Sequence, residues 1–270
     1  MTRRVALITG ASAGIGAAFA RLYAVKAFDL VLVARRLDRL EALGQELSQD
    51  HGVHSFPIRA DLSEPGAADL ILNQVAAKGR EVDVLVNNAG YGLPGAWTTT
   101  KWNDQARVLQ VMLTAPLELT HKVLPSMAAS RWGRIVNIAS LAGFSPGSRG
   151  HTTYSAIKSA LIKFSQSVHV EMAGTGVHCT AVCPGLTYSE FHDVNGAREQ
   201  LKQLPGFLWQ TAEAVAKAGY RASERNQSIQ VTGALNKTLA GVLKVMPDAL
   251  ALQLTKGAGG YRNLGSNKPV

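Results

Sequence analysis

The sequence predicts an α/β fold, a single Rossmann-type doubly wound parallel sheet of about seven strands flanked by helices, with a C-terminal helical extension. Three observations predict it. Short apolar runs alternate with longer helix-compatible stretches through most of the 270 residues. The runs are rich in Val, Ile and Leu without strict alternation, as in parallel strands buried on both faces. A glycine-rich turn joins the first run to the first helical stretch.

In order, the strand candidates are Val5–Thr9, Leu30–Ala34, Val53–Ile58, Val82–Val86, Arg134–Ile138 and Val177–Val182, with a weaker run at Ser228–Thr232. Between them, Asp38–Gln49 places Leu40, Leu43 and Leu47 on one helical side, and Tyr154–Met172 does the same with Ala160, Leu161, Phe164 and Val168. Lys237–Lys256 reads as a helical pair hinged near Pro247, carrying Leu239, Val242, Leu243, Leu250 and Leu252. Such a stripe fits core or subunit contact better than membrane contact. No repeat, low-complexity tract or linker interrupts the pattern. Residues 1–256 therefore read as one domain and 257–270 as a loose tail.

Apolar residues make up 46% and charged residues 17%, which suits a folded core rather than disorder. The net charge of +9 favours anionic ligands. With no basic run and no interleaved aromatic platform, a nucleic-acid partner has only that bulk charge behind it. Cys179 and Cys183 sit in an apolar segment, HCTAVC, and read as two small buried side chains. There is no disulfide framework and no metal-ligand spacing. No apolar stretch has signal-peptide or membrane-spanning length, so the expected location is the cytoplasm.

After the first strand comes Thr9-Gly10-Ala11-Ser12-Ala13-Gly14-Ile15-Gly16. Such a turn lets backbone approach a pyrophosphate, which then rests on the open N–H groups of a helix N-terminus. A glycine cluster alone could be only a tight turn; its place after strand one favours the nucleotide. At the end of the second strand stand Ala34-Arg35-Arg36, with no acid until Asp38. A carboxylate there would repel a ribose 2′-phosphate, whereas a guanidinium can pair with it bidentately. The expectation is NADP(H) in preference to NAD(H), against the plain alternative of two solvated arginines. Asp61-Leu62 follows the third strand and Asn87-Asn88-Ala89-Gly90 the fourth, both placed to line the adenosine side. A helix cap and a turn are their plain alternatives.

The fifth strand leads to Ser140, and Tyr154-Ser155-Ala156-Ile157-Lys158 follows fourteen residues later, opening a helix. Residues four apart share a helical face, so Lys158 can reach the space around the Tyr154 hydroxyl. An ammonium there stabilises a phenolate and moves the phenol towards working pH, where it can exchange a proton with a carbonyl or alcohol oxygen.

With these motifs in place, the sequence resembles the short-chain dehydrogenase/reductase family. The resemblance rests on TGASAGIG at Thr9–Gly16, NNAG at Asn87–Gly90, Ser140, YSAIK at Tyr154–Lys158 and PGLT at Pro184–Thr187. Within the family it looks most like the DltE-like group, judged by Thr211–Ala216 and the leucine-rich end. The resemblance implies that Ser140 orients the substrate oxygen and that Tyr154 is the general acid or base. Lys158 would hold the nicotinamide ribose and tune Tyr154. Ser12 and Ile15 would lie along the cofactor, Asp61 and Leu62 beside adenine, and Asn88 and Gly90 under the ribose. Pro184, Gly185 and Thr187 would flank the nicotinamide end. It also implies a homodimer or homotetramer.

Two departures stand out. The family usually carries an asparagine in a V-N-L or V-N-V triplet, holding a water that links the lysine to solvent; here the triplet is Val111-Met112-Leu113. A thioether cannot hold that water in the same way. The spacing from Ser140 to Tyr154 is also one residue longer than expected, which the Phe144–His151 loop would absorb. The segment 187–209 would close over substrate. Its Phe191, Val194, Leu201, Leu204, Phe207, Leu208 and Trp209 suit an apolar ketone, aldehyde or secondary alcohol, while His192, Arg198 and Lys202 would suit a charged one. A dinucleotide-binding protein with little turnover is the alternative that Met112 keeps open.

Overall fold

The computed structural model describes residues 3–93, 95–147, 152–188, 190 and 205–257. Most of the expected lid (191–204) and the expected tail beyond residue 257 lie outside them.

The strands are β1 (Val5–Thr9), β2 (Asp29–Ala34), β3 (Ser55–Arg59), β4 (Val84–Asn87), β5 (Gly133–Ile138), β6 (Val177–Cys183) and β7 (Ile229–Val231). They form one sheet in the order β3-β2-β1-β4-β5-β6-β7, every neighbour parallel. All seven expected strands are present. β3 begins at Ser55 rather than Val53, because the His54 N–H goes to the buried Asp29 carboxylate at 2.9 Å instead of to a ladder carbonyl.

Strand order reverses between β1 and β4, and a crevice opens there beyond the carboxyl ends of the strands. Both faces are covered. Ala6 and Ile8 of β1 join a core built with α1 (Gly14–Val25), α2 (Leu37–His51) and α7 (Ala212–Glu224). Val5 and Leu7 point the other way, into a core shared with α3 (Ala67–Ala76), α4 (Trp102–Leu109), α5 (Ala115–Ala129) and α6 (Thr152–Glu171). This two-sided burial explains why the strands read as unbroken apolar runs. Cys179 and Cys183 are buried, unbridged members of the second core.

Between α4 and α5 the helix widens into a π turn over Gln110–Thr114, where the Ala115 N–H bonds back to the Gln110 carbonyl. Pro116, at the start of α5, has no N–H to offer Met112 four residues earlier, so a regular α pattern would leave that carbonyl without its donor.

The extension consists of α8 (Ala234–Val245) and α9 (Asp248–Gly257), broken at Pro247 as expected. Its apolar stripe is not core. Leu235, Leu239, Val242 and Val245 are exposed, and it is the small Ala240 that packs down. Among the described residues no helix is long and apolar enough to cross a membrane.

Candidate active site

The β1–α1 turn bends where glycine permits it: Gly10 and Gly14 have φ of +66° and +55°, in the left-handed region. A Cβ on Gly10 would lie 2.8 Å from Asn88 Nδ2, and one on Gly16 would overlap the Gly10 carbonyl. Asn88 fastens the turn, its amide donating to the carbonyls of Thr9 (2.9 Å) and Gly10 (3.2 Å). Thr9 Oγ1 in turn accepts from the N–H groups of Asn88 and Ala89. The Asn-Asn-Ala-Gly segment is thus a brace for the glycine turn as well as a wall of the crevice.

That crevice holds a cavity of about 1000 Å³. At one end lie Gly10, Ser12, Gly14 and Ile15, with Arg35 and Arg36 beside them. Asp61 and Leu62, then Asn88, Ala89 and Gly90, form the next part of the wall. Ser140, Tyr154 and Lys158 stand at the other end, with Pro184, Gly185 and Thr187. Gly16 and Asn87 do not reach the surface of the cavity: Gly16 lies behind the turn, against Gly10 and Asn88, and Asn87 is buried, its amide donating to Asn137 Oδ1 at 2.8 Å.

The cradle suits a dinucleotide. Ala13 precedes α1 without a side-chain cap, and the first turn of α1 carries no acid, so its N–H groups are open to an anion. At the other end the Ser155 hydroxyl is buried and has no hydrogen-bond partner, a polar atom that bound ligand or water would satisfy.

β5 and α6 position the chemical groups. Ser140 follows β5 and caps the turn Leu141–Phe144, its Oγ accepting from the Ala142 N–H at 3.1 Å. The hydroxyl proton is left to donate into the cavity. Tyr154 and Lys158 sit one turn apart on α6, with Nζ 5.6 Å from the centre of the phenol ring. Lys158 is buried and donates to the Ile138 carbonyl at 2.7 Å. Burial pushes its ammonium down to about 8. The neighbouring Cys183 would oppose this only as a thiolate, and burial pushes that thiol up to about 12.

Asp61 does local work: its Oδ1 accepts from the Ser63 N–H and hydroxyl at 2.9 and 2.8 Å. Burial alone would raise its carboxyl, but those bonds, with Arg35 and Arg107, hold it below the usual carboxylate range. Met112 is buried in the π turn behind Gly90, where a Cβ would meet its side chain at 3.3–3.5 Å.

Several wall residues had no motif to announce them. Leu239 and Leu243 of α8 face this cavity together with Leu93, Leu141 and Leu186. The leucine spacing of α8 was visible, but not what it would meet. Glu190 also lines the cavity. At the described end of the expected lid, Tyr188 stacks on Trp209 at 4.8 Å, and Phe207 is 78% exposed, away from the cavity wall.

A parallel sheet with a glycine turn at its switch point and this crevice defines a dinucleotide-binding α/β protein. The sequence model for the short chain dehydrogenases matches residues 4–200, and the chain belongs to that family. An uncharacterised oxidoreductase of Myxococcus xanthus is 33% identical over 219 residues, 81% of this chain and 83% of the relative. A short-chain dehydrogenase from Sphingobium yanoikuyae, solved in complex with NADPH, superposes with a TM-score of 0.77 at 30% identity, covering 91% of this chain and 97% of that one. A bulky-bulky ketone specific alcohol dehydrogenase from Comamonas testosteroni gives 0.75 at 28% identity, covering 92% and 97%. The protein is accordingly a nicotinamide-dependent oxidoreductase acting on CH–OH or C=O groups.

Proposed function

We propose that this enzyme uses NADP(H) to interconvert an apolar ketone or aldehyde and its alcohol, with Tyr154 as general acid and base. One observation carries the reading. The phenol of Tyr154, the hydroxyl of Ser140 and the buried ammonium of Lys158 share a cavity whose far end carries Arg35 and Arg36.

Hydride chemistry belongs to the nicotinamide, which Pro184, Gly185, Thr187 and Lys158 would hold. The chain's own groups manage the proton. Ser140 donates to the substrate oxygen and orients it. Tyr154 gives that oxygen a proton in reduction and removes it in oxidation. Lys158, held by the Ile138 carbonyl, places its charge beside the phenol and favours the phenolate.

At the other end, Arg35 and Arg36 stand immediately before α2 and line the cavity with two guanidinium groups. This supports NADP(H), as does the NADPH bound to the Sphingobium relative. The leucines lining the cavity favour a bulky apolar substrate, in keeping with the bulky ketone specificity of the Comamonas relative. A nucleotide-binding role with slow turnover is the second reading, favoured by the apolar Met112 behind Gly90.

The test is to titrate the purified chain with NADPH and with NADH, then follow nicotinamide absorbance against a panel of bulky and small ketones. Tighter NADPH binding with turnover of the bulky ketones supports the reading. Binding without turnover of any carbonyl favours the second.

A further inference from the structure

The cation at the adenosine end of the cavity already has an anionic partner from far along the chain. Arg36 Nη2 donates to Glu190 Oε2 at 2.9 Å and to Ser12 Oγ at 3.0 Å. Arg39 Nη1 donates to the other carboxylate oxygen, Oε1, at 2.6 Å. Glu190 therefore meets one guanidinium with each oxygen, and it lines the same cavity as Ser12 and Arg36. It stands three residues beyond Thr187, 154 residues from Arg36, so no local backbone geometry forces the contact.

A carboxylate and a phosphate monoester offer a guanidinium the same thing, anionic oxygens that accept charge-assisted hydrogen bonds. Two such anions cannot share the Arg36 fork without repelling each other. We propose that Glu190 is an internal competitor for the cofactor's 2′-phosphate: it neutralises Arg36 and Arg39 in the nucleotide-free protein, and a 2′-phosphorylated nucleotide must displace it. A nucleotide with a bare 2′-hydroxyl has no need to. Glu190 thereby tempers the preference that the arginines create. This inference rests on the reading of Arg35 and Arg36 as a 2′-phosphate site.

The contact is built to yield. Both partners of each ion pair are 43–45% exposed, and exposed pairs are weak because solvent screens them. Glu190 is nonetheless an anion at neutral pH. The hydrogen bond from Arg39 holds its carboxyl below the usual range against a smaller opposing effect of burial, and Arg36 adds to it. The competition is therefore present under ordinary conditions.

The experiment is calorimetric titration of the full chain with adenosine 2′,5′-bisphosphate and with 5′-AMP, in wild type, Glu190→Gln, Glu190→Ala and Arg36→Ala. Both Glu190 variants should bind the bisphosphate about three- to tenfold more tightly, the range expected for release from an exposed ion pair, with 5′-AMP unchanged. If Arg36→Ala weakens the bisphosphate but neither Glu190 variant tightens it, the 2′-phosphate site stands and the competitor is overturned. If wild type binds both nucleotides equally and Arg36→Ala changes neither, the cofactor reading fails and this inference fails with it. Two independent replacements of an exposed side chain, each checked by its melting curve, separate a folding defect from a binding effect.

Discussion

Lys158 donates its ammonium proton to the carbonyl of Ile138 at 2.7 Å, across the junction of α6 with the end of β5. The contact anchors a buried cation next to Tyr154, and burial lowers that cation's pKa from 10.5 to about 8. The folded state thus holds this proton less tightly than the unfolded chain.

A stability prediction follows from the sign of that shift. Below pH 8 the lysine is charged in both states, and its full burial cost is felt. Above pH 10.5 it is neutral in both, and the cost is gone. Between the two the unfolded chain binds more protons, so this group makes stability rise with pH. Urea titrations of wild type and Lys158→Met from pH 7.5 to 10.5 should show wild type gaining on the variant across the window. A constant difference would contradict the buried charge.

The glycine turn makes a different demand. Gly16→Ala places a methyl group on the Gly10 carbonyl and 2.6 Å from Asn88 Nδ2, so the brace must shift. Overpacking of this kind costs about 1–3 kcal/mol. The variant should melt several degrees lower and bind either nicotinamide cofactor at least tenfold more weakly. A variant with unchanged melting and binding would mean that the turn is more compliant than its contacts suggest.

Cofactor preference can be read from the arginines. Replacing both Arg35 and Arg36 by Ala removes charge-assisted bonds worth about 1.5–3 kcal/mol each. NADPH affinity should fall at least tenfold while NADH affinity moves less than threefold, in a fluorescence titration. Equal losses for the two cofactors would show that these side chains do not distinguish a 2′-phosphate.

Much of this arrangement was legible in the sequence, and the reasons differ from part to part. Two-sided burial writes itself into the inner strands as Val/Ile/Leu-rich runs, so β1, β2, β4, β5 and β6 stood out, while the less buried edge strands β3 and β7 left a weaker pattern. Ser140, Tyr154 and Lys158 were legible because their spacing is local to a strand end and one helical turn. Contacts made by distant segments were not. Glu190 carries no signal of its own; only the fold brings it to Arg36 and Arg39. The leucines of α8 suggested core or subunit contact, and their helical periodicity was right, but Leu239 and Leu243 line the cavity while Leu235 and Val245 face solvent. The π turn did have a signal in Pro116, four residues after Met112.

Met112 supplies the fourth prediction. It fills the space behind Gly90 with a thioether that neither donates a proton nor firmly holds a water. If proton supply to Tyr154 and Lys158 limits turnover, Met112→Asn should raise kcat severalfold with NADPH affinity unchanged. Burying an amide costs about 1–3 kcal/mol without a partner, so melting curves must accompany the kinetics. A well-folded variant with unaltered kcat would show that protons reach the site by another route.

The central claim is that the Tyr154 phenol passes the proton. The direct measurement is single-turnover oxidation of bound NADPH by a bulky apolar ketone, in wild type and Tyr154→Phe, with NADPH affinity measured on the same samples. Tyr154→Phe should keep NADPH affinity within a few-fold and lose roughly 10²–10⁴-fold in rate, the usual worth of a positioned general acid. A variant that binds NADPH and reduces the ketone at the wild-type rate would contradict the assignment.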